Sequence, residues 1–121
     1  MRIILGAQTA DAVRDIYPVL EIDRIRVKGK SESETISAVV GDAAVRDSPR
    51  FARLAARHVA MIAAYRARDW RRTGALAEEC RALAADLEID GLYRLYRDRA
   101  DRFEAEPPPA GWGGIHVAET K

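Results

Sequence analysis

Two imidazoles, one thiol and a cluster of guanidinium groups are the side chains with which this chain could do chemistry. His58 and His116 lie far apart and Cys80 is the sole cysteine, so no zinc-type ligand spacing exists and no disulfide can close within the chain. His58 falls on a repeating apolar pattern with no carboxylate one helical turn away, which makes it a core histidine before an acid–base group. Cys80 sits on a similar stripe and reads as a small buried hydrophobe. Arg66, Arg68, Arg71 and Arg72 surround Trp70, a composition that would suit nucleic acid. Asp69, Glu78 and Glu79 lie close by, helical spacing spreads the arginines around the axis, and no aromatic ladder accompanies them. The expected role is a solvated corner between helices, with no nucleic-acid partner. Paired carboxylates on adjacent strands, a glycine-rich phosphate loop and a nucleophile beside a base are all missing from the sequence.

Charge and composition narrow the field further. Twenty basic and nineteen acidic residues in 121 leave a net charge of +1, which removes any whole-molecule attraction for nucleic acid or anionic lipid. Residues 48–104 are mildly basic, with twelve cationic and nine anionic groups. The single cysteine suits a reducing compartment. No apolar run approaches the roughly 18 residues of a membrane span, and Met1 leads into a strand-like run, not a charged cleavable leader. The expectation is a cytoplasmic chain without direct membrane insertion, folded as one domain or two tightly packed subdomains.

The elements that must position these groups fall into two halves with different periods. Ile3, Ile4 and Leu5 form a short apolar run ending at Gly6, and Thr9 is placed to cap a helix over residues 10–16, with Val13 and Ile16 or Tyr17 on one face. Pro18 stops it. In the strand that follows, Leu20 and Ile22 share one parity and Ile25 and Val27 the other, which a one-residue bulge near Asp23 and Arg24 reconciles. Residues 35–40 alternate, with Ile36, Ala38 and Val40 on one face, and residues 29–33 supply the turn of an antiparallel hairpin.

After Gly41 and a short linker over residues 42–47 the period becomes helical. Ser48-Pro49 is a strong helix opening, and Phe51, Leu54, His58, Met61 or Ile62, and Tyr65 recur at spacings of three and four. Asp69 is placed to cap a second helix with Trp70, Thr73, Ala77, Cys80, Ala84 and Leu87 on one face. A third helix starts near Asp90 with Leu92, Leu95, Tyr96, Ala100 and Phe103 inward, one of Tyr93 and Tyr96 being buried and the other nearer the surface. Pro107-Pro108-Pro109 ends it. The Gly-rich tail is expected to lie across a surface, with Trp112 anchored on the helical layer. The fold class is α+β.

The segment Glu21-Ile22-Asp23-Arg24-Ile25-Arg26-Val27-Lys28-Gly29-Lys30-Ser31-Glu32 resembles the closing hairpin of class III nucleotidyl cyclase domains, the adenylate and guanylate cyclase family. Ile4-Leu5-Gly6-Ala7-Gln8-Thr9-Ala10-Asp11-Ala12-Val13-Arg14-Asp15 is similar to the strand and helix just before that hairpin. At Ser33 the family commonly has proline, and at Ser37 a tyrosine or other bulky residue. Tyr65-Arg66-Ala67-Arg68-Asp69-Trp70, Leu92-Tyr93-Arg94-Leu95-Tyr96-Arg97-Asp98-Arg99, Phe103 and Pro107-Pro108-Pro109-Ala110-Gly111-Trp112-Gly113-Gly114 resemble a tetratricopeptide-like helical extension that follows the catalytic domain in some bacterial cyclases. The implied division is residues 1–41 as the end of a cyclase domain and residues 42–121 as a three-helix extension with its tail.

For an intact parent the resemblance implies two metal ions, Mg or Mn, held by carboxylates on early strands and promoting attack of the ribose 3′-hydroxyl on the α-phosphate of ATP or GTP. It also implies that those carboxylates lie upstream of this segment, leaving the chain itself with no metal ligands, no cofactor and no catalytic residue. In active relatives the first lysine of the Val-Lys-Gly-Lys turn reaches the triphosphate, and that position is Lys28 here. A compact ammonium on a tight turn suits a phosphate; the alternative is that Lys28 and Lys30 merely keep a hairpin end solvated. The leading expectation is a truncated cyclase, inactive alone, that associates with itself or a protein partner and whose parent could be membrane-anchored. The rival is a stand-alone helical adaptor that binds a protein through the concave side of residues 48–103, and a third reading is a gene remnant.

Overall fold

The structure, a computed structural model that describes residues 3–27 and 32–118, is α+β, with a four-stranded sheet and three consecutive long helices. Contacts gather the chain into two units, Met1–Arg46 with Gly114–Lys121, and Asp47–Gly113. The division expected between residues 41 and 42 therefore moves to Arg46, and the end of the tail belongs with the sheet, not with the helices.

In the first unit β1 (Ile3–Leu5) leads into α1 (Ala7–Val13), then β2 (Val19–Val27), β3 (Glu34–Val39) and the one-turn α2 (Ala43–Arg46). The strand order is β1-β3-β2-β4, where β4 (Ile115–Ala118) is contributed by the tail. β3 runs antiparallel to both β1 and β2, whereas β4 is parallel to β2. The anticipated bulge is present one residue early: Glu21 pairs with Ser37 and Asp23 with Ile36, so Ile22 is the extra residue. That insertion puts Leu20 and Ile25 on the same face despite their odd spacing.

α1 begins three residues before its expected start, because Gly6, not Thr9, is the residue at its N-cap and its carbonyl accepts from the Ala10 amide at 3.0 Å. The helix lays Ala10 and Val13 over Leu5, Val19 and Val39. Beyond Val13 the chain only turns, with the Ile16 and Tyr17 amides both donating to the Val13 carbonyl at 2.9 Å. Ile16 and Tyr17 are consequently exposed, at 55% and 40%, and do not join the apolar face assigned to them. Ser37 is buried in the middle strand between its partners Leu5 and Glu21, a place where small size is an advantage. The linker expected over residues 42–47 contains α2, opened by an Asp42 carboxylate that accepts from the Val45 amide at 3.1 Å.

The second unit is an up-and-down set of three helices, α3 (Pro49–Arg66), α4 (Trp70–Leu83) and α5 (Asp90–Ala105). Ser48 Oγ accepts from the Phe51 amide at 3.1 Å and Asp69 Oδ1 from the Arg72 amide at 3.2 Å, so both anticipated N-caps form. α3 buries Leu54, His58, Met61, Ile62, Ala64 and Tyr65, and α4 buries Thr73, Leu76, Ala77 and Cys80. On α5 the buried set is Tyr93, Tyr96, Arg99 and Ala100, continuing the row begun by Ile89. Both tyrosines are thus interior, and Leu95, expected inward, is 39% exposed. The reason is register: positions 89, 93, 96, 100 and 103 step by four and three and share one face, from which position 95 is turned away.

Gly74 lies in α4 with no atom of its surroundings within 4 Å of the place a Cβ would take. Gly74→Ala is therefore expected to raise stability by about 1 kcal/mol through helix propensity alone, read as a higher urea midpoint with unchanged slope. A lower midpoint would show that this face of α4 is covered.

Candidate functional site

Lys28, the residue the resemblance assigns to a triphosphate, and Lys30 beside it lie outside the described residues. The strand that leads to them is described as far as Val27, and the return strand from Glu34. Within β2 the bulge directs Asp23 inward, where it is buried and its carboxylate accepts from the Arg24 amide at 2.9 Å. Among the described residues no three His, Cys, Asp or Glu side chains come together as a metal cage. The resemblance itself puts the carboxylates for a metal pair upstream of this segment, and the described residues supply no such cluster in their place.

His58 and Cys80, read as core residues, are brought together by Tyr93. The Tyr93 hydroxyl lies 3.0 Å from His58 Nδ1 and also hydrogen-bonds the Cys80 thiol, and the His58 and Tyr93 rings meet edge to face at 5.7 Å. All three are at most 1% exposed. Burial pushes the Cys80 thiol up to about 12, the neighbouring Glu79 charge acting in the same sense. Tyr93 is also raised above the ordinary phenol value, again chiefly by burial. A thiol held protonated and shielded from solvent is no nucleophile at neutral pH. The cluster satisfies polar groups within the core.

The four arginines around Trp70 do not act as one surface. Arg71 Nε faces Glu104 at 3.4 Å, and the Arg72 amide belongs to the cap of α4. Arg68 has a task that the sequence did not disclose. It ends α3 in a left-handed conformation with φ 64°, its amide donating to the Tyr65 carbonyl at 3.1 Å and that of Asp69 to the Ala64 carbonyl at 2.9 Å. This is a Schellman closure with arginine where glycine is usual. From that position its guanidinium donates to the carbonyls of Pro108, at 2.9 Å, and Pro109, and stacks 5.7 Å from the Trp112 ring centre.

Trp112 completes an aromatic box. Its ring centre lies 4.8 Å from Tyr65, 5.4 Å from Phe103 and 5.7 Å from Trp70, all in edge-on geometry. Tyr65 also meets Tyr96 edge to face at 4.9 Å. The tail is thus held on the helices by stacking and by two charge-assisted hydrogen bonds, as the reading of Trp112 as an anchor anticipated. Elsewhere Glu78, Arg81, Ala82, Ala85 and Asp90 line an open depression of about 430 Å³, whose charges face each other: Arg81 pairs with Asp90 and stands 3.8 Å from Glu78. Among the described residues no helix is long and apolar enough to cross a membrane.

Two outcomes follow from this geometry. Trp112→Ala is expected to cost about 3 kcal/mol by chemical denaturation, at the lower end for a packed aromatic because the ring is only half-buried; a loss below 0.5 kcal/mol would mark the ring as a free recognition group. For the core cluster, the folded chain holds the Cys80 proton more tightly than the unfolded chain does. Its contribution is fully present below the ordinary thiol value of 9.0 and is lost as pH climbs toward 12. Stability should fall through that window with a slope of up to about 1.4 kcal/mol per pH unit from this group. In Cys80→Ala the decline between pH 9 and 10 should be shallower; an identical slope would remove Cys80 as its origin.

No family model, no curated protein and no solved structure matches this chain.

Proposed function

We propose that the chain is the C-terminal part of a class III nucleotidyl cyclase working in the cytoplasm. In this reading the hairpin of β2 and β3 completes the ATP site of the intact enzyme, Lys28 meets the triphosphate, and the helices α3 to α5 regulate or assemble it. One observation carries the proposal: residues 4–15 and 21–27, from the segments whose sequence resembles that family, coincide with a strand, a helix and the bulged first arm of an antiparallel hairpin. The order strand, helix, hairpin is the one the resemblance implies, and it comes from residues that were matched on type alone. The chain supplies a wall of the site and a phosphate contact, and the metal ligands come from upstream.

The reading expects a cyclase core encoded in frame upstream of Met1. Expressed as one polypeptide with this chain, it should form cyclic AMP or cyclic GMP from the triphosphate with Mg or Mn, whereas the purified chain alone should form neither. Lys28→Ala in the longer protein should lower kcat/KM at least tenfold, the scale of one lost hydrogen bond to a charged group. Turnover by the isolated chain that survives stringent purification and vanishes with Lys28→Ala overturns the proposal. So does a longer protein whose turnover ignores that substitution.

A further inference from the structure

Within the helical unit, which spans Asp47–Gly113, three rings from three helices form a wall before the tail is counted. Tyr65 on α3 lies 6.0 Å from Trp70 on α4 and 6.2 Å from Phe103 on α5, and Trp70 and Phe103 are 5.3 Å apart. The three rings pack on one another, so the wall is supported without the residue that fills it. Beside it stands Arg68, whose backbone is fixed by the hydrogen bonds that close α3. Its left-handed φ of 64° is a strained choice for a residue with a Cβ, and strain kept where glycine would relieve it marks a side chain with a task.

The tail shows what this corner accepts. Arg68 donates to the carbonyls of two consecutive prolines, Pro108 and Pro109, and Pro108 is buried while Pro107 and Pro109 are exposed. Consecutive prolines hold an extended helix without internal hydrogen bonds, so their carbonyls are offered outward and little ordering entropy is lost on docking. The Trp112 amide donates to the Pro109 carbonyl at 3.0 Å, and this turn brings the indole against all three rings.

We propose that Tyr65, Arg68, Trp70 and Phe103 form a docking site for an extended Pro-Pro-x-x-Trp segment of a partner protein, and that residues 107–112 occupy it in cis as an internal competitor. A guanidinium reads two successive carbonyls and an aromatic wall takes the indole, the chemistry by which proline-rich ligands are bound on aromatic grooves. Tethering gives the tail an effective concentration of order mM. A partner displaces it with an affinity tighter than that scale or a local concentration above it. The inference rests on the helical unit alone and is independent of the cyclase reading.

The probe is a peptide of residues 106–114, Glu-Pro-Pro-Pro-Ala-Gly-Trp-Gly-Gly, titrated into the full chain. The Trp112→Ala chain should bind it saturably and about tenfold more tightly than the wild-type chain, whose own tail competes. Adding Arg68→Gly, which suits the left-handed position, should weaken binding about tenfold, the scale of one lost charge-assisted hydrogen bond. Replacing the peptide's tryptophan with alanine should abolish it. No saturable binding to the Trp112→Ala chain overturns the proposal, as does equal binding by the wild-type chain or indifference to Arg68→Gly. If Trp112→Ala strips amide-exchange protection from residues 54–61, the wild-type chain decides: about 10 mM peptide should move its Trp112 indole signal to the position of the free peptide, and an indole that stays put overturns the proposal. A wild-type dimer that grows with concentration and disappears with Arg68→Gly assigns the site to the tail of a second copy and overturns the partner.

Discussion

Tyr65 is the point through which the helical unit closes. It stands at the end of α3, 2% exposed, and its ring meets Trp70 at the start of α4, Tyr96 and Phe103 on α5, and Trp112 in the tail. Edge-on aromatic pairs each add about 0.5–1.5 kcal/mol beyond their burial, so one residue joins every segment of this unit. The turn that follows it explains why the meeting is possible. Because α3 stops one residue later and reverses through Arg68, Trp70 comes back beside Tyr65 at 6.0 Å instead of continuing along the helix. The closure costs about 1–2 kcal/mol of left-handed strain at a non-glycine residue, offset by the guanidinium reaching two carbonyls and an indole face.

Away from this box the helices meet through polar groups that are unusually deep. Thr73 Oγ1 donates to the Asp69 carbonyl at 2.8 Å, and His58, Tyr93 and Cys80 satisfy one another. The Thr73 bond is internal to α4, but an unsatisfied buried donor or acceptor costs about 1–3 kcal/mol, so His58, Tyr93 and Cys80 fix how α3, α5 and α4 are set against each other more sharply than aliphatic side chains would. Arg99, 6% exposed with its guanidinium 5.7 Å from the Tyr96 ring centre, takes a place on α5 that a simple apolar stripe would give to a leucine.

What the sequence made legible was whatever is encoded by a few adjacent residues. Ser48-Pro49 and Asp69 announce their caps, the apolar steps of α3 and α4 announce their buried faces, and the parity conflict between Leu20 and Ile25 announces the bulge. What it hid depends on distant partners. Residues 115–118 are too short to signal a strand by alternation, and they become one only because β2 has an open edge. Arg68 was hidden because arginine is a poor marker for a helix terminus that normally takes glycine. On α5 the choice of face turned on the aromatic row of 93 and 96, not on the apolarity of Leu95. The candidate phosphate contact was legible only as a resemblance at Lys28, since a single lysine on a turn has no spacing to read.

These distinctions also indicate where function lies. The ionic side chains of the helical unit are largely engaged with one another: Arg50 with Asp86 at 2.8 Å, Arg57 with Glu79 at 2.9 Å, Arg94 with Asp90 at 2.7 Å, Arg97 with Glu78 at 2.5 Å. Each exposed pair contributes at most about 1 kcal/mol, and each engages a guanidinium with a carboxylate of the same unit. The thiol and phenol of the core are held protonated by burial, which removes the two groups best suited to nucleophilic work. A unit whose reactive side chains are occupied in holding it together is suited to positioning another element. The hairpin of the first unit is the element with the opposite balance: it has a buried carboxylate at a bulge and β-branched residues that order the strand, and two lysines follow where that strand ends in the sequence. A phosphate contact needs a charge presented at the end of an ordered strand and little else, and under the proposed reading it is the hairpin, not the helical unit, that carries it.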